Sequence, residues 1–275
     1  RHIEQVLDLD LVDVDAIRKA NFKVAVDAVN SVGGVVIPEL LIALGVTNIV
    51  ELNCVPTGRF AHLPEPIPEN LTDISRLVRD SDADLGLVVD PDVDRLVIIM
   101  EDGRMFGEEN TLVSVADYVL SHTPGPTVSN LSSSRALRDI TIQHGCTYSA
   151  SAVGEVNVTT EMKRTGAVIG GEGNGGVIYP PLHYGRDALV GAALFLTMLA
   201  KSERKVSELR RKYPYYSIFK TKVELSPSLD IDALFETVKE RFKDEQITDI
   251  DGVKIDFENS WVHLRKSNTE PIIRV

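Results

Sequence analysis

Apolar and polar positions along this chain of 275 residues fall into blocks whose period changes from two to about three and a half, and those blocks set out the elements. Phe22, Val24 and Val26 alternate with Lys23, Ala25 and Asp27, so 22–30 reads as a strand. Ser31-Val-Gly-Gly34 then turns into an apolar helix over 35–44, which Gly45 ends. A strand over 49–52, a rigid proline loop over 63–68 and a helix over 71–81 follow. Next come two β-rich apolar runs, 85–89 and 96–100, then a hairpin-type turn at Asp102-Gly103 and a helix over 108–122 that is expected to leave the first domain. This βαβαβ rhythm predicts a mainly parallel sheet between helices.

Thr123-Pro-Gly-Pro126 marks a boundary, after which a second round of the same kind begins. It reads as a strand at 127–131, a helix at 135–144 capped by Ser132-Ser-Ser134, a strand at 147–152, a helix near 156–164 and strands at 167–169 and 177–179. The helix over 187–200 is apolar nearly all round and is expected in the core. From Tyr213 the pattern changes to a smaller unit: a strand at 217–225, a helix at 231–242 with Asp230 as N-cap, and strands near 253–257, 260–264 and 272–275. The fold class is therefore α/β: two related three-layer α/β domains with mixed sheets, then a smaller α+β C-terminal domain. The expected limits are 1–20 for an inter-domain linker of strand or helix, then 21–122, 123–212 and 213–275.

Composition narrows the function classes. A net charge of −12 argues against a sequence-independent grip on nucleic acid, while local arginines still suffice for an anion. The longest apolar run, 188–199, is broken by Gly191 and Thr197 and is too short to span a bilayer, so a soluble, cytoplasmic protein is expected and no membrane partner. Cys54 and Cys146 lack ligand-like spacing and read as reduced thiols. The chain opens without a methionine or a signal-like segment and closes inside a strand pattern, so it is expected to be an excised piece of something longer.

The chemistry concentrates in three stretches. Between the runs 85–89 and 96–100, Asp90, Asp92 and Asp94 stand at alternate positions, with Pro91 stiffening the turn and Arg95 closing it. Carboxylates so crowded repel one another unless a cation sits among them, and Mg²⁺ fits oxygen ligands with positions left for water or phosphate. A solvated acidic turn is the bland alternative. An EF-hand would need glycine where Arg95 stands and helical flanks; a haloacid-dehalogenase-type phosphatase, with Asp90 as nucleophile, would want Thr or Val at Asp94. The second stretch, Gly170–Gly176, has five glycines around Glu172 and Asn174, which suits either a flexible connection or a loop reading sugar hydroxyls. The third, Arg265-Lys-Ser-Asn-Thr-Glu-Pro271 with Arg274 beyond it, packs guanidinium, hydroxyl and amide donors into one phosphate cradle, or a solvated turn. Arg186 within His183-Tyr-Gly-Arg-Asp187 could serve either site, and His183 is given no role.

Taken in order, Asp90-Pro-Asp-Val-Asp-Arg95, Gly171-Glu-Gly-Asn-Gly175 and Arg265-Lys-Ser-Asn-Thr-Glu-Pro271 resemble the α-D-phosphohexomutases, which include phosphoglucomutase/phosphomannomutase and phosphoglucosamine mutase. The resemblance runs the length of the chain and covers domains two, three and most of four of a four-domain fold around a cleft. It implies that Asp90, Asp92 and Asp94 bind Mg²⁺ and that Arg95 faces the transferring phosphate. Glu172 and Asn174 would read sugar hydroxyls, and Arg265, Ser267, Asn268 and Thr269 would hold the non-reacting phosphate, with Arg274 close by. The implied substrate is a hexose 1- or 6-phosphate of glucose or mannose, with glucosamine as the alternative. A phosphoserine in a missing N-terminal domain would carry the phosphoryl group, since no Ser-His-Asn-Pro loop is present; these residues alone are expected to be inactive. Many members have Ser where Asn174 stands and Lys near Val156, whereas Gly154-Glu-Val-Asn157 resembles the archaeal phosphoglucosamine mutase branch.

Overall fold

A computed structural model describes residues 1–65, 67–225, 230–267 and 270–275. Two short helices open the chain, α1 (His2–Leu7) and α2 (Val14–Ala20). Asp13 caps α2 by accepting from the Ala16 N–H at 2.9 Å, and Asn21 ends it in the left-handed conformation. The stretch read as a linker of strand or helix is thus helical, and both helices pack on a later one, α8 (Ala188–Ser202).

The first sheet uses β1 (Lys23–Asp27), β2 (Asn48–Leu52), β3 (Leu85–Val89) and β4 (Leu96–Met100), with α3 (Gly33–Ala43) and α4 (Thr72–Asp80) as crossovers. Its order is β2-β1-β3-β4, parallel except for β4, which pairs antiparallel with β3. After α5 (Glu108–His122) the second sheet repeats that plan with β5 (Thr127–Asn130), α6 (Ala136–Gln143), β6 (Tyr148–Ser151), α7 (Glu155–Thr165), β7 (Ile169–Glu172) and β8 (Gly176–Ile178). The order is β6-β5-β7-β8, again with only the last strand reversed. The hairpin turns β3–β4 and β7–β8 therefore occupy equivalent places in the two sheets. One holds the acidic trio, the other the glycines.

Both residues and packing explain why these two units are joined. α8 is apolar on nearly every face and α5 carries polar residues such as Asn110, Ser114 and Asp117 along one side, yet the two are buried from Ala188 to Leu199 and from Asn110 to Leu120. They pack on each other and touch strands of both sheets, so Leu85, Val115, Ile169 and Leu194 belong to one continuous core. The helix expected to leave its domain is instead the middle of the joint molecule. After α9 (Val206–Arg210), the C-terminal unit forms an antiparallel sheet of β9 (Lys222–Glu224), β10 (Gln246–Thr248), β11 (Val253–Asp256), β12 (Trp261–Lys266) and β13 (Ile272–Arg274), in the order β10-β11-β12-β13-β9, with helix α10 (Ile231–Arg241) capped by Asp230.

Several expectations are corrected. The strand read at 217–225 is confined to β9, since no apolar face runs through its exposed residues. Gly170–Gly176 is not one loop: Gly170, Gly171 and Glu172 are strand, and only 173–175 turn. Helix α6 takes Arg135 rather than a serine as N-cap, although the Ser134 hydroxyl accepts from the Ala136 N–H at 3.2 Å.

Candidate functional site

The acidic turn is built by its backbone. Asp90 is buried, and its Oδ1 accepts from the N–H groups of Asp94 and Arg95, both at 3.1 Å, which folds the turn back on β3. Val93 adopts φ +61°, an unfavourable conformation for a β-branched residue, and its carbonyl accepts from the Ala188 N–H at 3.1 Å. Ser31, after β1, donates its hydroxyl to the Pro91 carbonyl at 2.7 Å. The strands on either side are fully buried, so the flanks of an EF-hand are absent.

This folding gathers one carboxylate oxygen from each of Asp90, Asp92 and Asp94 within 4.8 Å of one another. Burial first, and then the charge on Asp94, push the Asp90 carboxyl up to about 7. Arg95 Nε lies 3.3 Å from Asp90 Oδ2 and 3.7 Å from Asp94 Oδ1, yet among the described residues neither Arg95 Nε nor Asp94 Oδ1 has a hydrogen-bond partner, although both atoms are buried. Three converging carboxylates, one carrying an orphaned oxygen and another reluctant to ionise, fit a hard divalent cation.

Arg186 carries the turn's charge to the second sheet. Its guanidinium pairs with Asp94, donates through Nη1 to Glu172 Oε2 at 2.7 Å and through Nε to Glu155 Oε2 at 3.1 Å. Burial alone would lower its pKa, but the three carboxylates reverse that and raise it. Glu172 is buried at the end of β7, and its other oxygen accepts from Asn130 Nδ2 at 2.7 Å. Asn174 Oδ1 accepts from the Gly176 N–H at 3.2 Å within its own turn.

The two hairpin turns also meet directly, through the Leu96 N–H donated to the Gly175 carbonyl at 3.0 Å. Gly175 has φ +91°, and a Cβ there would stand 2.5 Å from the Leu96 carbonyl oxygen. Gly175→Ala is expected to cost roughly 2 kcal/mol by combining left-handed strain with that collision. Urea unfolding checks it, and an unchanged midpoint would show that the turns can part freely.

A cleft of about 710 Å³ opens beside these groups and is lined by Arg95, Glu109, Asn130, Glu172, Gly173, Asn174, Lys222, His263, Arg265 and Arg274. On its C-terminal wall, Arg265 of β12 faces Arg274 of β13, which in turn faces Lys222 of β9. Like charges directly opposite one another in a sheet repel, so a row of three cations in so acidic a chain calls for an anion. The nearest carboxylates to the two arginines are 3.9 Å (Asp251) and 3.4 Å (Glu270) away. Ser267 is buried, and its N–H donates to the Ile272 carbonyl at 3.0 Å, closing the turn between β12 and β13. Asn268 and Thr269 lie outside the described residues.

Sequence reading missed Lys222, because it stands beside Arg274 only through strand register. It also missed Glu109, at the start of α5, whose carboxyl burial pushes up to about 7 and whose Oε1 accepts from the Ser134 N–H at 2.7 Å. Of the cysteines, Cys54 is buried and its thiol is pushed up to about 11 by burial, which leaves it inert at neutral pH.

Three family models match the chain in order: phosphoglucomutase/phosphomannomutase alpha/beta/alpha domain II over 1–103, domain III over 108–216 and the C-terminal domain over 222–275. Among relatives, a phosphoglucomutase/phosphomannomutase of Thermococcus kodakarensis is 39% identical over 96% of this chain and 58% of its own length. A probable phosphoglucosamine mutase of Methanopyrus kandleri is 35% identical over 100% of this chain and 60% of its own. A crystal structure of a phosphoglucomutase/phosphomannomutase family protein from Burkholderia thailandensis superposes with a TM-score of 0.80 at 28% identity, covering 95% of this chain and 58% of that one. The chain thus spans about 60% of the relatives it matches.

Proposed function

Since the chain belongs to the phosphoglucomutase/phosphomannomutase family, we propose that it forms the metal, sugar and phosphate walls of an Mg²⁺-dependent mutase interconverting hexose 1- and 6-phosphates. What carries the proposal is that the acidic turn's Arg95, the Glu172–Asn174 turn and the cation row all face one cleft. Asp90, Asp92 and Asp94 would hold the Mg²⁺, which when bound neutralises charge on a phosphoryl group in transfer. Arg95, which lines the cleft, would orient that group. Asn174 and the cleft edge of Glu172 would fix the sugar hydroxyls, with Arg186 and Asn130 keeping the carboxylate aimed.

Arg265, Arg274, Lys222 and the turn beginning at Ser267, with Asn268 and Thr269, would grip the phosphate that does not react. The phosphoryl group would be carried by a serine outside residues 1–275, and the bisphosphate would turn over between two transfers. Asp90 suits a metal ligand better than a phosphatase nucleophile, because its Oδ1 already accepts two backbone N–H groups and the side chain is buried. Glucose and mannose phosphates are the leading substrates. The names of relatives favour glucosamine as a second reading, and Glu109 would be one of the cleft's carboxyls to meet an ammonium.

The full-length protein, assayed with glucose, mannose and glucosamine 1-phosphates, tests the reaction; no isomerisation of any of them overturns it. On this chain, titration calorimetry with glucose 1-phosphate tests the phosphate wall. Lys222→Ala is expected to weaken binding about fivefold, as suits an exposed cation on an anion. Unchanged affinity would remove Lys222 from the wall.

A further inference from the structure

A second cluster of ligand-type side chains stands apart from the cleft. His2, at the first turn of α1, and His183, in the loop before α8, both bring Nε2 to the same oxygen of Asp187: His2 at 2.7 Å and His183 at 2.9 Å from Oδ2. One ligand atom from each of the three residues lies within 4.8 Å of the others. We propose that His2, His183 and Asp187 form a site for a transition-metal dication of the zinc type, separate from the acidic turn.

The donor set selects the class of metal. Two imidazoles and one carboxylate suit Zn²⁺, Co²⁺ or Ni²⁺, whereas Mg²⁺ takes oxygen ligands. Ligands about 2.0–2.1 Å from a common ion at the tetrahedral angle stand roughly 3.3 Å apart, so the observed nitrogen–oxygen separations of 2.7 and 2.9 Å need open by about half an ångström. The carboxylate is already oriented. Its Oδ1 accepts from the N–H groups of Leu189 at 2.7 Å and Val190 at 3.2 Å as the N-cap of α8, which leaves Oδ2, the oxygen both imidazoles approach, as the coordinating atom.

The surroundings are consistent with a site that opens outward. His2 is 44% exposed and His183 42%, while Asp187 is buried, so the remaining coordination positions face solvent. Gly185 backs the His183 ring, and a Cβ there would stand 3.0 Å from its Nδ1. A bound ion would tie α1 to the start of α8, one residue from Arg186 and its three carboxylates. The site is therefore placed to hold that arginine's backbone as well as to join two helices.

The test is Zn²⁺ titration of the chain against a chromophoric chelator, with millimolar Mg²⁺ present to cover the acidic turn. The expected result is one Zn²⁺ per chain, weakened about tenfold or more in His2→Ala and in His183→Ala and retained in Asp92→Asn. Co²⁺ substitution should give a visible absorption band that the two histidine variants lose. Both histidines are half-exposed, so unchanged thermal unfolding without Zn²⁺ checks that the variants fold. Zn²⁺ binding that both histidine variants keep, or that only Asp92→Asn loses, overturns the proposal, as does no saturable binding at all.

Discussion

Asp90→Asn is expected to make the metal-free protein more stable at pH 8 while removing its affinity for Mg²⁺. In the folded chain burial and the neighbouring Asp94 push the Asp90 carboxyl up to about 7, far above its value near 4 in an unfolded chain. Between those two values the folded state holds a proton that the unfolded state has released. The stability this provides is fully present below about pH 4 and is lost as pH rises through 7. At pH 8 the charge is therefore a burden, worth about 1–3 kcal/mol once solvent screening is allowed for. Asparagine keeps an Oδ1 for the two backbone N–H donors at 3.1 Å and carries no charge to bury. Urea unfolding in a chelator should show the variant ahead at pH 8 and level with the parent near pH 4. Millimolar Mg²⁺ should raise the parent's midpoint alone. A variant less stable than the parent at pH 8 would mean that the turn tolerates its three charges without a cation.

Arg135→Ala is expected to loosen the C-terminal sheet, at a cost of about 3–5 kcal/mol to its attachment. The Arg135 guanidinium is almost wholly buried and donates to Asp256 Oδ1 at 2.9 Å and to the carbonyls of Phe257 at 2.7 Å, Glu258 at 3.0 Å and Ser260 at 2.7 Å. Alanine leaves a carboxylate and three carbonyls without that donor. Lysine should not restore them, because a single ammonium cannot fan across four acceptors. The chain's one tryptophan, Trp261, lies in this sheet under the Lys254 ammonium, 4.6 Å from the ring centre, so its fluorescence reports the sheet itself. An early transition in tryptophan fluorescence, ahead of the loss of helix signal, is the expected result. Coincident transitions at the parent's midpoint would deny Arg135 that role.

How far the sequence led depended on how local the signal was. The run 85–100 was legible because two apolar strands and three alternating aspartates are written in consecutive residues, and the hairpin lies where they put it. Helix α8 was legible for the same reason: it is apolar nearly all round and is buried from Ala188 to Leu199. Helix α5 was seen as a helix but not as the centre of the molecule, since which sheet its faces meet depends on residues far away in sequence. Arg186 was noticed without its partners, which come from Asp94, Glu155 and Glu172 on three elements. Arg265 and Arg274 were legible as one cradle, but Lys222 was not, because it becomes their neighbour only through strand register. The short elements α9 and β10 had too few residues to show any period.

The shared interior of the first two sheets has a mechanical consequence. Helices α5 and α8 leave those sheets no separate insides, and the hydrogen bond from Leu96 to Gly175 fastens their turns, so the acidic turn and the glycine turn keep a fixed spacing. Among the described residues none beyond Tyr213 belongs to that interior, and the C-terminal sheet meets it through polar contacts such as the Arg135 fan and the 3.0 Å approach of Ser132 Oγ to His263 Nδ1. The width of the gap thus rests on polar contacts such as these, whereas the floor beneath it is held by a shared apolar interior.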